Sequence, residues 1–315
     1  IGADASNPGV TGVTRIGNTA TADLNLNGTV YSTGGATTFT AVSGGTIDLG
    51  GSSPTFTTSA DTITFGTADV KVANGTLTVN SVGGLIDFEG SILGTSDEVL
   101  VLNANGSGTD AASANEKVIV ATIGSGDQIH SVSITGRDGI TLEGNITTSD
   151  KASNNVSFTG PVSINAATVA IDTDATGNDG TVTFSSTIDS ATGTSRNLDI
   201  VSATGNVTVT GAIGATTALA SLDINQAGGD GDITLTSNIG ADASNPGVTG
   251  VTRIGNAATA DLNLNGTVYT TGGATTYASA GTDLGGSSPT FTTSADTITF
   301  CLLYTSDAAD DVRSV

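Results

Sequence analysis

Residues 207–236 read VTVTGAIGATTALASLDINQAGGDGDITLT, and this stretch decides the fold class of the 315-residue chain. Apolar and hydroxyl residues alternate at 207–210 and again at 233–236, which is the period-two pattern of a strand with one buried face. Glycine, asparagine and aspartate flank these runs, and these residues tolerate the positive φ angles of tight turns. The stretch therefore predicts short strands separated by turns.

The same alternating run recurs along the chain at a nearly constant step. It begins at Val132, Val156, Val182, Val207 and Ile233. Between these runs lie further short strands, which start at Leu198 and Leu222, and single isoleucines at Ile213 and Ile239 that recur at the same step. A step of about 25 residues is typical of one turn of a β-solenoid, whose coils stack at ~4.8 Å.

We therefore predict that residues 1–300 form an all-β, parallel β-solenoid with about 24–26 residues per coil. The five run-starting residues should form one stacked column, in about 12 coils and a rod of ~58 Å. A narrow core of β-branched side chains should leave little room for aromatic rings. The rhythm is weaker before residue 130, and tandem β-sandwich domains, each of about 100 residues, remain the alternative.

The chain also contains a much longer repeat, in addition to the period of about 25 residues. Residues 1–38 return at 239–276, a shift of 238 positions (239 − 1), with differences only at Thr19→Ala257 and Ser32→Thr270. After a three-residue deletion, 49–65 return unchanged at 284–300. The chain therefore holds one unit, 1–238, and the start of a second at Ile239. We interpret it as an internal fragment of a very long repetitive protein.

The repeat breaks after Phe300, where the second copy departs from the first. Residues 301–315, CLLYTSDAADDVRSV, resemble translated adapter sequence from transposase-based sequencing libraries. We interpret them as a non-native tail on a metagenomic fragment, which should add no coil. The only cysteine, Cys301, lies in this tail. The repeats themselves hold no thiol, which excludes disulfides and zinc–thiolate sites within them.

The composition restricts the partners. The formal charge is −22, with 30 Asp and Glu against 8 Lys and Arg. No basic patch exists to displace phosphate counterions, so we expect no binding to nucleic acid or anionic membranes. No apolar run approaches the roughly 18 residues of a membrane helix, so no membrane insertion is expected in this fragment.

The alternating segments LDIVSATGNVTVTGAIG, LDINQAGGDGDITLTSNIG and VSFTGPVSINAATVAIDT resemble the repeat regions of filamentous-haemagglutinin-like giant adhesins, the β-strand-repeat proteins of bacterial surfaces. The resemblance covers nearly all of residues 1–300. It implies a right-handed β-helix, an extracellular or cell-surface location, and a role in adhesion, biofilm or the surface layer. Expected partners are cell-surface glycans or proteins, or other copies of the chain. The resemblance carries no site residue onto this sequence.

No constellation of catalytic residues stands out, and we expect no enzyme. His130 is the only histidine, in GDQIHSVSI, and is interpreted as a turn residue. Polysaccharide-active β-helix enzymes are the alternative, because Glu143 follows a strand in ITLEGN. No second acid is tied to Glu143 by spacing.

Two glycine-rich turns resemble calcium loops. Asp172, Asp174 and Asp179 place oxygen ligands near a glycine, although Thr183 stands where the bidentate glutamate belongs. Residues 228–232, GGDGD, resemble half of a calcium-binding nonapeptide repeat. The loops therefore predict at most a calcium-stiffened stalk, with plain turns preferred.

Thr-x-Thr triplets are a further pattern, typical of ice-binding solenoids. They occur at 62–64, 181–183, 208–210 and 234–236, but serines break the ladder at Ser133 and Ser157. Alternation in any strand produces such triplets. Ice binding is therefore not expected.

Overall fold

The structure is a computed structural model, and it describes residues 1–3, 7–59, 61–95, 97–105, 115–226, 229–242, 244–294 and 296–302. In these ranges the chain forms 32 β-strands and no helix. Every strand pairing is parallel and joins strands of successive coils. The predicted parallel β-solenoid is confirmed, and tandem sandwiches, whose sheets are antiparallel, do not describe the chain.

The strands form three faces, which the chain follows in the order I, II, III in every coil. Face I holds β1 (Thr14–Gly17), β4 (Thr37–Thr40), β7 (Ile63–Phe65), β10 (Ile86–Phe88), β13 (Lys117–Val120), β15 (Gly139–Leu142), β18 (Val162–Ile164), β21 (Ile188–Ser190), β28 (Val268–Thr271) and β31 (Thr290–Thr293). Face II holds β2 (Asp23–Asn25), β5 (Thr46–Leu49), β8 (Asp69–Val72), β11 (Ile92–Leu93), β16 (Ile146–Thr147), β19 (Thr168–Asp172), β22 (Asn197–Val201), β24 (Ser221–Ile224), β26 (Thr252–Ile254), β29 (Thr275–Ser279) and β32 (Ile298–Leu302). Face III holds β3 (Val30–Thr33), β6 (Thr55–Thr58), β9 (Thr76–Ser81), β12 (Val99–Ala104), β14 (Ser131–Gly136), β17 (Val156–Thr159), β20 (Val182–Phe184), β23 (Val207–Val209), β25 (Ile233–Leu235), β27 (Asp261–Leu264) and β30 (Gly281–Asp283).

Face III is one unbroken sheet of 11 strands, whereas faces I and II are interrupted. Single parallel bridges carry the pairing across the interruptions, through Ile123 on face II and through Ile213 and Ile239 on face I. The rod therefore has about 11 turns of about 24 residues. At ~4.8 Å per coil it is about 50 Å long.

The predicted column is confirmed residue by residue on face III. Val132 pairs with Val156, Val156 with Val182, Val182 with Val207, and Val207 with Ile233. All five side chains are buried. The alternation of buried and half-buried residues along β14 shows the expected inward and outward sides.

The solenoid also continues through the region where the sequence rhythm is weak. Phe56 pairs with Val79, and Val79 pairs with Leu102, so the coil length stays constant there. The short strand β10 lies between β9 and β12 in sequence but belongs to face I. The rhythm is hard to see in the sequence because strands of two faces follow each other closely in this region.

The expectation that the core has little room for aromatic rings is wrong. The largest fully buried side chains include Phe39, Phe65 and Phe88, which stack on face I with ring centroids 5.0 and 4.4 Å apart. Tyr31 and Phe56 stack at 4.6 Å on face III. Registered coils place identical positions one above another, and offset-stacked rings fill that spacing well.

The second copy closes the described part of the rod. Its three-residue deletion falls between Leu262 and its partner Thr282, so this coil is shorter than its counterpart in the first copy. Cys301 and Leu302 extend β32 against Ala278 and Ser279. The predicted tail therefore starts as strand, because β29 still offers a free edge there. Its remainder, 303–315, lies outside the described residues.

The two copies of the long repeat occupy different faces. Along face I, Ile239 lies nine turns after β1. The next strand of the chain is β26 on face II, and β26 repeats the sequence of β1. In the same way β27 repeats β2 one face later, and β28 repeats β3. The unit 1–238 therefore spans nine and one third turns, and the second copy is rotated by a third of a turn.

Candidate functional site

Three carboxylates lie within two coils of one another on the outer surface of face I. Asp87 points outward from β10, and Glu89 and Glu143 directly follow β10 and β15. Strand β13 pairs with both, which places Ile119 between Asp87 and Thr141. Glu89 and Glu143 thus lie two coils apart, about 10 Å along the axis.

Hydrogen bonds fix the backbone of both glutamates. The Glu89 N–H donates to the Phe65 carbonyl at 3.0 Å, and the Glu143 N–H donates to the Val120 carbonyl at 2.8 Å. The Glu143 carboxylate also accepts a hydrogen bond of 2.9 Å from the Asn165 side-chain amide. The regular ladder therefore holds these acids in place.

The surroundings of Asp87 make it the most perturbed acid of the cluster. Its carboxyl is half-buried, and this burial raises its pKa to about 6, with further contributions from the negative charges of Glu89 and Glu143. Burial and like charges both disfavour the ionised form. Asp87 can therefore exchange a proton near neutral pH, as a general acid or base must.

The sequence interpretation missed this arrangement because it looked for a second acid close to Glu143. Asp87 and Glu89 come from a coil that lies two turns earlier in the chain. A signal was present: IDFEG at 86–90 and ITLEG at 140–144 share the pattern Ile-x-apolar-Glu-Gly. Matching these two strands would have indicated the cluster.

A shallow groove of about 530 Å³ lies further along face I. Its polar lining includes Lys117, Asp138 and Asp189. The Asp189 carboxylate accepts hydrogen bonds from the backbone N–H groups of Thr216 and Thr217 at 2.8 and 3.0 Å. This acid therefore stabilises the turn that forms the groove wall.

The predicted calcium-loop acids cap turns between faces II and III. Asp172 accepts from the Asp174 N–H at 3.0 Å, and Asp179 accepts from the Ala175 N–H and from the Thr204 hydroxyl. Burial disfavours the ionised form of both acids. At Asp172 this burial raises the pKa. At Asp179 the accepted hydrogen bonds outweigh the burial, and the pKa is lowered. No group of three or more acids, histidines or cysteines that could hold a metal ion occurs in the described residues. Gly228 of the second loop lies outside them.

His130 stands immediately before β14 and is half-buried. Its Nε2 lies 3.0 Å from the Ala152 carbonyl, and its backbone N–H donates to the Glu98 carbonyl at 2.8 Å. Both contacts join neighbouring coils. The histidine therefore occupies a turn, as the sequence suggested.

Face III carries a surface without charge. Its nine consecutive strands β3, β6, β9, β12, β14, β17, β20, β23 and β25 contain no Asp, Glu, Lys or Arg. Their outward positions are Ser, Thr, Asn and Val, and we call this surface the uncharged stripe. Its central ladder runs through Ser133, Ser157, Thr183, Thr208 and Thr234. Threonine thus continues over only three coils, whereas the lack of charge extends over nine.

Comparison with protein-family models, with curated proteins and with solved structures finds no match for this chain. In the part of the chain that the structure describes, no helix has the length and hydrophobicity to cross a bilayer. The rod and its surfaces are therefore the basis for a functional proposal.

Proposed function

We propose that this chain is a structural and adhesive repeat segment of a large bacterial protein that is secreted or displayed at the cell surface. The observation that carries this proposal is the uninterrupted pairing between the two copies of the long repeat. Strand β24 of the first copy pairs with β26 of the second, and β25 pairs with β27. Successive units therefore add length to a single rod, as in solenoid arrays that form extended binding surfaces.

The proposed partners are cell-surface glycans or proteins, or further copies of the chain. The rod presents repeated ladders of short polar side chains and shallow grooves, which suit weak contacts made many times. Repetition converts weak contacts into avidity without new chemistry. This agrees with the family resemblance to filamentous-haemagglutinin-like repeats, which motivates the extracellular location.

Binding of a labelled protein to cells and to a glycan array tests the proposal. A protein with three tandem units should bind more tightly than the present chain, by about 10²-fold or more if several units engage at once. A non-repetitive acidic protein of similar charge serves as the control. Equal binding by all three proteins would contradict an adhesive role.

A polysaccharide-active enzyme is the second candidate, supported by the carboxylates of Asp87, Glu89 and Glu143. Asp87 and Glu89 lie two positions apart in one extended segment, so their Cα atoms are about 7 Å apart and both side chains leave the same side of the strand. Inverting glycosidases likewise use a pair of acids on one surface, with their carboxyl groups about 6.5–9.5 Å apart. Turnover of a neutral polysaccharide that is lost in Glu143→Gln, but kept in Asp138→Asn, would establish catalysis. Absence of turnover over a broad polysaccharide panel would favour the rod.

A calcium-stiffened stalk is the third candidate, through Asp172, Asp174 and Asp179. Since the carboxylates of Asp172 and Asp179 already accept backbone hydrogen bonds, we expect calcium to change thermal stability little. The measurement is the melting temperature with calcium and with a chelator. A rise that Asp174→Asn abolishes would support the stalk.

We also propose that residues 301–315 are adapter read-through and that the natural protein continues past Phe300 as the first copy continues past Phe65. The sequence GTADVKVANGTLTV follows Phe65, and in the first copy it forms β8 and the start of β9. Sequencing the source DNA across the Phe300 codon tests this. A genomic locus that encodes CLLYTSDAADD would contradict it.

A further inference from the structure

We infer that the uncharged stripe on face III packs against the same stripe of a second copy of this chain, so that rods associate side by side. This inference deepens the proposed structural role and rests on it, because it names one partner of the rod.

The distribution of charge selects this face. The chain carries a net charge of −22. Acids occupy strand positions on face I, such as Asp87 and Asp189, and on face II, such as Asp199 and Asp223. Two copies that met through these faces would bring carboxylates together, and like charges at an interface disfavour association. The nine strands of the stripe avoid this repulsion.

Charged residues do flank the stripe at its rim. Lys151 and Asp97 form an ion pair of 2.7 Å in the turns that precede β17 and β12, and Asp179 lies before β20. These rim acids should oppose pairing at low ionic strength. Added salt should therefore strengthen the association, because it screens exposed charges.

The size of the stripe suits a weak pairing for each unit. Nine strands at ~4.8 Å cover about 40 Å along the rod, and strands of three to six residues are about 10–20 Å long. The contact is then about 600 Å² on each copy, or about 1,200 Å² in total, the lower bound of specific interfaces. Short side chains in registered ladders can interdigitate between sheets about 10 Å apart.

The stripe has defined ends. Beyond β25, face III carries Asp261 on β27 and Asp283 on β30. In the second copy the uncharged sequences VYTT and TFTT lie instead on face I, as β28 and β31. Each unit therefore offers one stripe of limited length.

Introducing acids into the stripe tests the inference. The two positions to change are Thr78 on β9 and Thr183 on β20. They lie two strands to either side of β14, the middle strand of the stripe. When the β14 strands of the two copies lie opposite each other, each changed position of one copy faces a changed position of the other. This holds whether the copies run parallel or antiparallel. Both side chains are half-buried outward positions whose neighbours in the ladder are uncharged.

The long repeat provides a matched control. Thr38 on face I and Thr276 on face II are the same position in the two copies, and each pairs with an arginine, Arg15 or Arg253. The double variant Thr38→Asp/Thr276→Asp has the same net charge as Thr78→Asp/Thr183→Asp. Circular dichroism at equal concentration should confirm that both variants keep the β-sheet spectrum.

Sedimentation velocity in reducing buffer, at several protein and salt concentrations, gives the dimerisation constant. We expect the wild-type chain and the control to associate equally, and the stripe variant to associate at least about tenfold more weakly. A wild-type chain that stays monomeric at millimolar concentration would overturn the inference. Undiminished association of the stripe variant would overturn it too, because stacking at the open strand edges does not depend on face III. Equal loss in the control would also overturn it, because it would show a general effect of added negative charge.

Mixing opposite charges makes the test independent of any loss of stability. Thr78→Lys/Thr183→Lys should associate as weakly as the aspartate variant when alone, but the mixture of the two variants should form heterodimers. If neither variant pairs in the mixture, face-to-face packing is excluded.

The outcome is separable from that of the proposed function. If the chain binds cells or a neutral polysaccharide, stays monomeric, and loses that binding in Thr78→Asp/Thr183→Asp, the stripe serves a glycan and the pairing of copies is refuted. Adhesion would then stand. If copies pair but no cell binding occurs, the pairing stands and the adhesive role fails.

Discussion

Buried polar side chains satisfy the backbone where the chain turns from face II to face III. The Ser202 hydroxyl donates to the Gly205 carbonyl at 2.7 Å, and the Thr173 hydroxyl donates to the Gly180 carbonyl at 2.7 Å. Asn225 joins neighbouring coils, since its side-chain oxygen accepts from the Ser202 N–H at 2.7 Å. These residues explain why Ser, Thr and Asn occur inside the rod, where an unpaired backbone group is costly.

Asn225→Ala should destabilise the rod by about 2 kcal/mol, because it leaves the buried Ser202 N–H without its acceptor. The positive φ of 49° at Asn225 adds strain of about 1 kcal/mol in alanine. Asn225→Gly should relieve the strain but still lack the hydrogen bond, so its effect should be smaller. Chemical denaturation measures the free energy of unfolding of the wild-type chain and of both variants. The control is Asn197→Ala, which removes two side-chain hydrogen bonds on the outward side of β22, one donated to Thr168 and one accepted from Ser221. A cost equal to that of Asn225→Ala would contradict the argument.

The stability of the rod should fall as pH rises through the titration of Asp87. Its folded pKa of about 6 exceeds the usual 3.8, so the folded state resists ionisation. The stability that the neutral form contributes is therefore complete below about pH 4 and is lost between about pH 4 and pH 6.

Asp87→Asn should consequently stabilise the protein at pH 7, by about 1 kcal/mol once solvent screening of this half-exposed group is considered. The gain should shrink towards pH 4. Thermal melts across this range measure it, with Asp48→Asn on face II as the control for loss of one charge. A constant difference at every pH would refute the assignment.

Among the elements, the aromatic stacks bind successive coils of the first copy together. Phe65 on β7 lies between Phe39 on β4 and Phe88 on β10, and all three are fully buried. The second copy repeats the arrangement with Tyr277 and Phe300 at 5.0 Å. A coil in a solenoid contacts only its neighbours, so each ring contributes to two interfaces at once.

Phe65→Ala should cost about 3–5 kcal/mol, the usual range for removing a buried ring. Thr64→Ala, one residue away and facing outward, should change stability by less than about 0.5 kcal/mol. Hydrogen exchange should show faster exchange at β4, β7 and β10 than at β23 and β25. Uniform loss of protection along the rod would show that all coils unfold together, and not only those that contact Phe65.

The strands of face III after residue 130 were predictable from the spacing of the sequence, whereas counting along the chain could not find the acidic cluster. Val132 and Ile233 belong to runs with period-two alternation and a constant step, so counting along the chain gives their register. Between Leu102 and its partner Ile134 an insertion lengthens the coil, and counting fails. Asp87 and Glu143 lie on opposite sides of this insertion, so counting cannot bring them together, and the shared pattern Ile-x-apolar-Glu-Gly is the one sequence signal that links their strands. The two-residue strand β11 is too short for any periodicity.

At the scale of the whole molecule, sequence period and structural period do not coincide. The long repeat unit ends a third of a turn after a whole number of coils, yet pairing continues without a break from β24 to β26. The inward residues tolerate this shift because all three faces supply β-branched and aromatic side chains to one common core. Identical sequence can therefore serve two different faces.

A protein of three tandem units should show this offset directly. Electron cryomicroscopy of such a rod should relate successive units by a third of a turn and a rise of about 45 Å along the axis. Arg15 and Arg253, equivalent in sequence, already lie on faces I and II. Units with identical orientation, or an integral number of coils per unit, would contradict the prediction.

The rotation by a third of a turn has a consequence for the uncharged stripe. If every stripe pointed the same way, each rod would pair with only one neighbouring rod. Since each unit turns its stripe towards a new side, one rod contacts neighbours in three directions at successive heights. Long tandem chains would then cross-link into a three-dimensional mesh with pores, whose spacing along each fibre is set by the length of one unit.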